Sequence, residues 1–188
     1  MEQGTDLSRV LLAIARGAIR RELGLPAAVE ADHPALAAPA ATFVTLRQGD
    51  RLRGCIGSVE ACRPLGEDVR RNAVAAAFRD PRFPPLPAHE LGATTIEVSL
   101  LGRTEPLRCA DEDAAVAQLA PRVDGIVLEC GFRRATFLPQ VWEQLPEPRD
   151  FLAALKRKAG LPAEGWSSQI VLARYTVTKY AEPAPAPA

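Results

Sequence analysis

The sequence predicts an α+β fold with largely antiparallel strand pairing. Two observations carry this. Thr42 to Arg47 (TFVTLR) and Arg51 to Val59 are β-prone runs separated only by Gln48-Gly49-Asp50, the pattern of a hairpin. The other strand-like runs are joined by turns and single amphipathic helices, with no β-α-β alternation and no internal repeat. At 188 residues with 47% apolar content, one domain of up to two lobes is expected over residues 1–182, followed by a disordered Pro/Ala tail at 183–188.

Taken in order, Asp6 is expected to cap a helix whose stripe is Leu7, Val10, Leu11, Ile14 and Ala18, with Gly24 and Pro26 ending it. Pro26 to Ala41 lacks periodicity and reads as a surface loop. After the hairpin, Pro64 suits a first helical turn, and Leu65 to Arg79 carries the stripe Leu65, Val69, Ala73, Ala76. Asp80-Pro81 stops that helix, because a residue before proline disfavours the α region. Arg82 to Pro87 is a stiff connector, and Thr94 to Leu101 alternates as a strand. Asp111 to Leu119 reads as a short helix with an acidic start. Gly125 to Glu129 and Ala135 to Leu138 read as strands around Gly131, and Pro139 to Trp142 as a short helix or loop. Asp150 to Ala159 is helical, with Lys158 expected to snorkel beside Phe151 and Leu155. Gln169 to Tyr180 alternates as one long final strand.

Composition excludes several classes. Lys+Arg (23) balances Asp+Glu (23), which is not the footprint of a dedicated nucleic-acid binder. The local excess of eight arginines over five acids between Ala41 and Phe83 reads as a solvated face. Cys55, Cys62, Cys109 and Cys130 form no CxxC pair and no zinc spacing, and the two histidines (His33, His89) lie in Pro-rich loops, so no metal site is expected. No apolar run approaches the ~20 residues of a membrane span, and no signal peptide is read at the N-terminus. The expectation is a cytoplasmic protein with free thiols.

The stretch Arg51-Leu-Arg-Gly-Cys-Ile-Gly-Ser58 is poorly explained by folding alone, since glycine inside a strand marks a bulge or a close approach. Strict alternation puts Arg53, Cys55 and Gly57 on one face and Leu52, Gly54 and Ile56 on the other. A cation, a thiol and an absent side chain in a row suit a small anionic or electrophilic ligand. On this reading Cys55 is the candidate thiol, activated by Arg53. Glu97 or Asp80 is the candidate acid/base or the carboxylate that orients Arg53. Asn72, central in a helical stripe, either ties a nearby loop or donates to an oxyanion. Arg53, Gly54, Gly57, Asn72 and Arg82 are the candidate ligand-binding residues, and Arg53 or Arg82 the expected cation for Glu97. The stretch lacks the Lys of a phosphate-binding loop, so no cofactor is implied. No histidine accompanies the thiol, which counts against acyl transfer but not against thiol redox or covalent capture. Three readings stay open for Cys55: a catalytic thiol, part of a ligand surface without covalent chemistry, or a small hydrophobe whose neighbouring glycines let a helix pack closely.

The runs FVTL…LRGCIG, NAVAAAFRDPRF, IEVSLL, ATFLPQVW, FLAALKRKAGLP and GW, in that order between Leu7 and Tyr180, resemble the AMMECR-type domain family, whose bacterial and archaeal members are called AmmeMemoRadiSam system protein A. The resemblance implies an α+β fold with a main antiparallel sheet flanked by helices and a smaller second lobe, and makes Leu52 to Gly57 the hallmark hexapeptide. Similar proteins are encoded or fused with a Memo-like protein and a radical S-adenosylmethionine enzyme. That implies an accessory or catalytic role in a shared modification pathway, with a small-molecule or protein substrate. A non-catalytic protein-binding adaptor is the alternative. A nucleic-acid-associated regulatory factor is the third, to which the neutral charge gives little support.

Overall fold

The computed structural model describes residues 2–28 and 32–183. Its elements run α1 (Glu2–Glu22), β1 (Pro39–Ala40), β2 (Thr42–Gln48), β3 (Arg51–Gly57), β4 (Arg63–Pro64), α2 (Leu65–Phe78), β5 (Thr95–Leu101), β6 (Glu105–Leu107), α3 (Glu112–Gln118), β7 (Gly125–Cys130), β8 (Arg133–Phe137), α4 (Pro148–Lys158), β9 (Ile170–Tyr175) and β10 (Val177–Ala181). The fold is α+β, and the chain divides into two compact units, one up to Leu101 and from Thr178 on, the other Gly102–Val177.

In the first unit four strands are ordered β10-β5-β2-β3, with β2 antiparallel to both β3 and β5. Alternation sends Val44, Leu46, Ile96 and Val98 to one face, where the stripes of α1 (Val10, Leu11, Ile14, Ile19) and α2 (Leu65, Val69, Ala73, Ala76) bury them. The first helix already runs from Glu2, so Asp6 lies within it rather than at its cap. It ends as expected at Gly24 (φ +69), where the next N–H, of Leu25, returns to the Arg20 carbonyl at 2.8 Å. The segment read as a plain loop before β2 instead holds a 3-10 turn, Pro34–Ala37, with the His33 ring accepting from Ala35 N, and the short strand β1, which pairs with β4. Within that segment residues 29–31 lie outside the described residues. So does the expected disordered tail beyond Pro183.

The second unit holds the sheet β6-β9-β7-β8, antiparallel throughout. Its core stacks Trp142 on Phe151 at 3.7 Å between ring centroids, with Phe137 edge-on to Phe151. Asp111 caps α3 by accepting from Ala114 N, in keeping with the acidic start. Lys158 rests over the Phe137 ring and donates to the Thr136 carbonyl. The fully buried lysine is its neighbour Lys156, whose Nζ donates to Glu112 (2.8 Å) and to the Gly165 carbonyl (3.0 Å). The expected single final strand is two. The chain breaks at Thr176, whose carbonyl accepts Gly102 N at 2.8 Å, and β9 and β10 join different sheets. Both halves alternate, so the pattern carries no mark of the break. Strand β6, three residues including a proline, was likewise not expected.

Candidate functional site

Strand β2 organises the site. Thr45 is directly opposite Cys55 on one side and Glu97 on the other. Opposed residues share a face, and this face is the one turned away from Val44, Leu46 and the helices. Thr45 Oγ1 lies 3.4 Å from Cys55 Sγ, and Cys55 is half-buried. Glu97 sits one strand further, roughly 10 Å from Cys55 at a strand spacing of about 4.8 Å. Its partners are Ser99 Oγ at 3.4 Å and Lys179 Nζ at 3.8 Å, not the expected Arg53 or Arg82.

Arg53 does not share the face of Cys55. The register jumps from Leu46↔Gly54 to Arg47↔Leu52, so Arg53 is the extra residue of a β-bulge, and Arg53 and Gly54 are buried in succession. Its guanidinium donates Nε to Glu90 (2.9 Å), Nη1 to the Pro84 carbonyl (2.9 Å) and Nη2 to the Pro85 carbonyl (3.4 Å). It fastens the stiff connector to the sheet. Glu90 in turn is held below the usual carboxylate range by hydrogen bonds from Gln48 and from Arg53.

The cation beside Cys55 is Arg82. Strand β3 is an edge, and the outward N–H and C=O of Cys55 have no strand to pair with. Asp80 Oδ2 accepts that N–H at 2.9 Å, and Arg82 Nη2 donates to that carbonyl at 3.1 Å. The two side chains also bind each other, Arg82 Nε to Asp80 Oδ1 at 2.9 Å and Nη2 to Oδ2 at 2.7 Å. Arg82's hydrogen bonds hold the Asp80 carboxyl well below the usual range, against the opposing effect of burial, with the Cys55 N–H assisting. Asp80 therefore stays ionised at neutral pH. It holds the Cys55 N–H and the Arg82 guanidinium together. Arg82 is pushed up, first by Asp80 and, more weakly, by the neighbouring Cys55.

Asn72 belongs to another cluster. Its Nδ2 donates to the Thr42 carbonyl and to Asp68 Oδ2, both at 2.9 Å. Asp68, fully buried, also accepts Thr42 N (2.9 Å), Thr42 Oγ1 (2.8 Å), Ser58 Oγ (2.7 Å) and Arg63 Nη2 (2.9 Å). This node ties the start of β2 and the end of β3 to α2, and directs the Asn72 amide to the backbone. The two glycines are also occupied. A Cβ on Gly54 would stand 2.1 Å from the Ala76 carbonyl oxygen of α2, and one on Gly57 2.3 Å from the Phe43 ring. Neither leaves a notch for a ligand.

Thr45, Asp68 and Glu90 were not foreseen as members of these clusters. Thr45 was within reach, because the hairpin register sets it opposite Cys55. Asp68 precedes Asn72 by one helical turn on the same stripe, a signal of a shared polar node. Glu90 gave no sign. Among the described residues no group of three or more His, Cys, Asp or Glu is placed to hold a metal ion, and no helix is long and apolar enough to cross a membrane.

The AMMECR1 family model matches residues 12–180. A Thermotoga maritima protein is 37% identical over 143 residues, 75% of this chain and 77% of that protein. A Sulfolobus acidocaldarius protein is 37% identical over 174 residues, 88% and 77% respectively. The crystal structure of the uncharacterized protein PH0010 from Pyrococcus horikoshii superposes with a TM-score of 0.80 at 30% identity, over 93% of this chain and 91% of that one.

Proposed function

The chain belongs to the AMMECR1 family, and on that premise we propose that it is a cytoplasmic component, accessory or catalytic, of a modification pathway shared with a radical S-adenosylmethionine enzyme and a Memo-like protein. The working surface is the sheet face around Cys55. One observation carries this reading: Asp80 and Arg82 both hydrogen-bond the backbone of Cys55, while its thiol stays half-exposed against Thr45. A purely structural cysteine is ordinarily a small buried hydrophobe, whereas this thiol is half-exposed on a backbone that Asp80 and Arg82 hold fixed. Glu97, in the same row, is the carboxylate left to take a proton, through Thr45 or a bound substrate.

The adaptor reading has its own support. Arg53, Gly54, Gly57 and Asn72 are consumed by packing, so what the face offers a partner is one thiol and the exposed Arg82. Alkylation of Cys55, followed peptide by peptide across pH, separates the two. A reactive thiol that is alkylated more slowly in Arg82→Met supports chemistry; a slow thiol insensitive to that change leaves the adaptor. Binding of the purified radical S-adenosylmethionine enzyme and Memo-like protein, compared in wild type, Cys55→Ser and Arg82→Ala, tests the shared pathway. If neither protein binds the wild type, the pathway reading falls.

A further inference from the structure

Beside Cys55, Thr45, Arg47, Asp50, Thr95, Glu97 and the carboxylate of Glu182 contribute to the lining of a cavity of about 270 Å³. Thr45 belongs to both places, since its hydroxyl touches the Cys55 sulfur. We propose that this cavity binds a free α-amino acid, its carboxylate on Arg47 and its ammonium on Glu97. The inference deepens the reading of this face as the working one by naming a ligand class, and rests on it in that respect.

Three observations lead there. Arg47 faces Thr95 and Thr45 faces Glu97, so Arg47 and Glu97 are diagonal neighbours on one face. Opposite charges so placed ordinarily pair, yet these do not. Among the described residues Arg47 bonds through Nη1, to the Asp50 carbonyl at 3.2 Å, and its Nε and Nη2 find no acceptor there. Both contacts of Glu97 fall on Oε1, those from Ser99 and Lys179, so Oε2 has no donor among the described residues. A cation and an anion, each with unused hydrogen-bonding capacity, thus line one cavity without meeting.

The ligand class follows from the chemistry. A plain anion meets Glu97 and Asp50, and a plain cation meets Arg47; the third carboxylate, Glu182, is already held by Arg16 and the Ile96 N–H. A small zwitterion satisfies Arg47 and Glu97 together, with the Thr45 and Thr95 hydroxyls to take its remaining polar atoms. A cavity of about 270 Å³ has room for an amino acid.

The test is titration of the full-length chain with glycine, L-alanine and L-glutamine, followed by backbone NMR shifts, against their methyl esters (no carboxylate) and N-acetyl forms (no ammonium). A free amino acid is expected to shift Thr45, Thr95 and Gly49, and each derivative to bind about tenfold or more weakly, as for loss of one charge-assisted contact. Arg47→Met and Glu97→Gln are expected to weaken binding similarly with unchanged melting temperature. Should either variant unfold, the derivatives on the wild-type chain still decide. No binding up to roughly 10 mM, or derivatives binding as well as the free amino acids, overturns the proposal. Because the titration uses this chain alone and needs no reactive thiol, its failure is distinct from failure of the partner-binding or alkylation experiments.

Discussion

Asp80 accepts the N–H of Cys55 from outside the sheet, at 2.9 Å, closing a donor that the edge position of β3 leaves without a strand partner. Arg82, two residues on, closes the carbonyl of the same residue. The segment Asp80-Pro81-Arg82 thus stands in for one pair of ladder hydrogen bonds. An open edge invites pairing with other chains, and covering it with charged side chains is a recognised remedy. Here the cover also fixes the backbone that carries the thiol.

Removing the acceptor tests this. Asp80→Ala strands the Cys55 N–H and the Arg82 guanidinium together, and is expected to cost about 1–3 kcal/mol. Arg82→Ala, at an exposed side chain, is expected to cost about 1 kcal/mol or less. Urea denaturation measures both. Hydrogen exchange adds the specific sign: the Cys55 amide should exchange faster in Asp80→Ala, and unchanged protection there contradicts the clamp.

The same pair sets a pH dependence. Arg82 depresses the folded pKa of Asp80, so the stability this carboxylate contributes is fully present above its unfolded pKa, near 4, and is lost as pH falls through the lower folded value. The stability gap between wild type and Asp80→Asn should therefore be flat from neutral pH to about 5 and close below about 4. Urea midpoints along a pH series would show it. A gap that widens on acidification is incompatible with an ionised Asp80.

What the chain discloses before folding is its local periodicity. The stripes of α1 and α2 and the Thr42 to Gly57 hairpin follow from residues close in sequence, and the hairpin sets Thr45 opposite Cys55; Glu97 joins that row only through the long-range pairing of β5 with β2. The partner of each charge was not legible. Face assignment by alternation fails at Arg53, because one extra residue in β3 reverses the count; the glycines announce a bulge or a close approach without saying which residue is the extra one. Arg53 then meets Glu90, 37 positions away across a proline-rich connector, a contact that only the tertiary path creates. The split between β9 and β10 is hidden for the related reason that two consecutive strands in different sheets keep the same alternation.

The glycines of the hexapeptide make a steric prediction. At Gly54 the obstacle to a Cβ is the backbone carbonyl of Ala76, 2.1 Å away, which cannot move without shifting α2. Gly54→Ala is expected to cost at least about 1–3 kcal/mol, the range for overpacking. Gly57→Ala must displace both the Phe43 ring and the Thr42 carbonyl and belongs to the same class. Gly92→Ala, where nothing lies within 4 Å, is the control, expected within about 0.5 kcal/mol of wild type. Thermal and urea unfolding of the three variants rank them; a Gly54→Ala protein as stable as Gly92→Ala contradicts the close approach of α2.

The Asp68 node is expected to be the most sensitive polar position in the first unit. Asp68→Ala leaves the Thr42 N–H and Arg63 without their acceptor and the buried Asn72 amide with one acceptor fewer, and is expected to cost about 3–5 kcal/mol, as when one member of a buried charge pair is removed. Asn72→Ala keeps the Asp68–Arg63 pair and should cost about 1–3 kcal/mol. Their double mutant should fall short of the sum, since the two share partners. Strict additivity in denaturation experiments means the node is not one network.

Arg53 and Arg82 should separate cleanly by readout. Arg53 is 8% exposed and holds Glu90 and two proline carbonyls, so Arg53→Ala takes the donor from both carbonyls, leaves Glu90 with Gln48 alone, and is expected to destabilise by about 1–3 kcal/mol. It lies off the face of Cys55, so the alkylation rate of that thiol at fixed pH should change by less than about twofold, a free-energy effect under RT. Arg82→Met should do the reverse, with little loss of stability but slower alkylation of Cys55, because the side chain that holds the Cys55 carbonyl beside the thiol is gone. Arg53→Lys sharpens the contrast. A lysine keeps the charge but lacks the planar fork that reaches Glu90 and both carbonyls, so it should rescue stability only in part. If Arg53→Ala slowed Cys55 as much as Arg82→Met, with the chain still folded, then the bulge does not turn Arg53 away from the thiol, and the assignment of Arg82 as its cation is wrong.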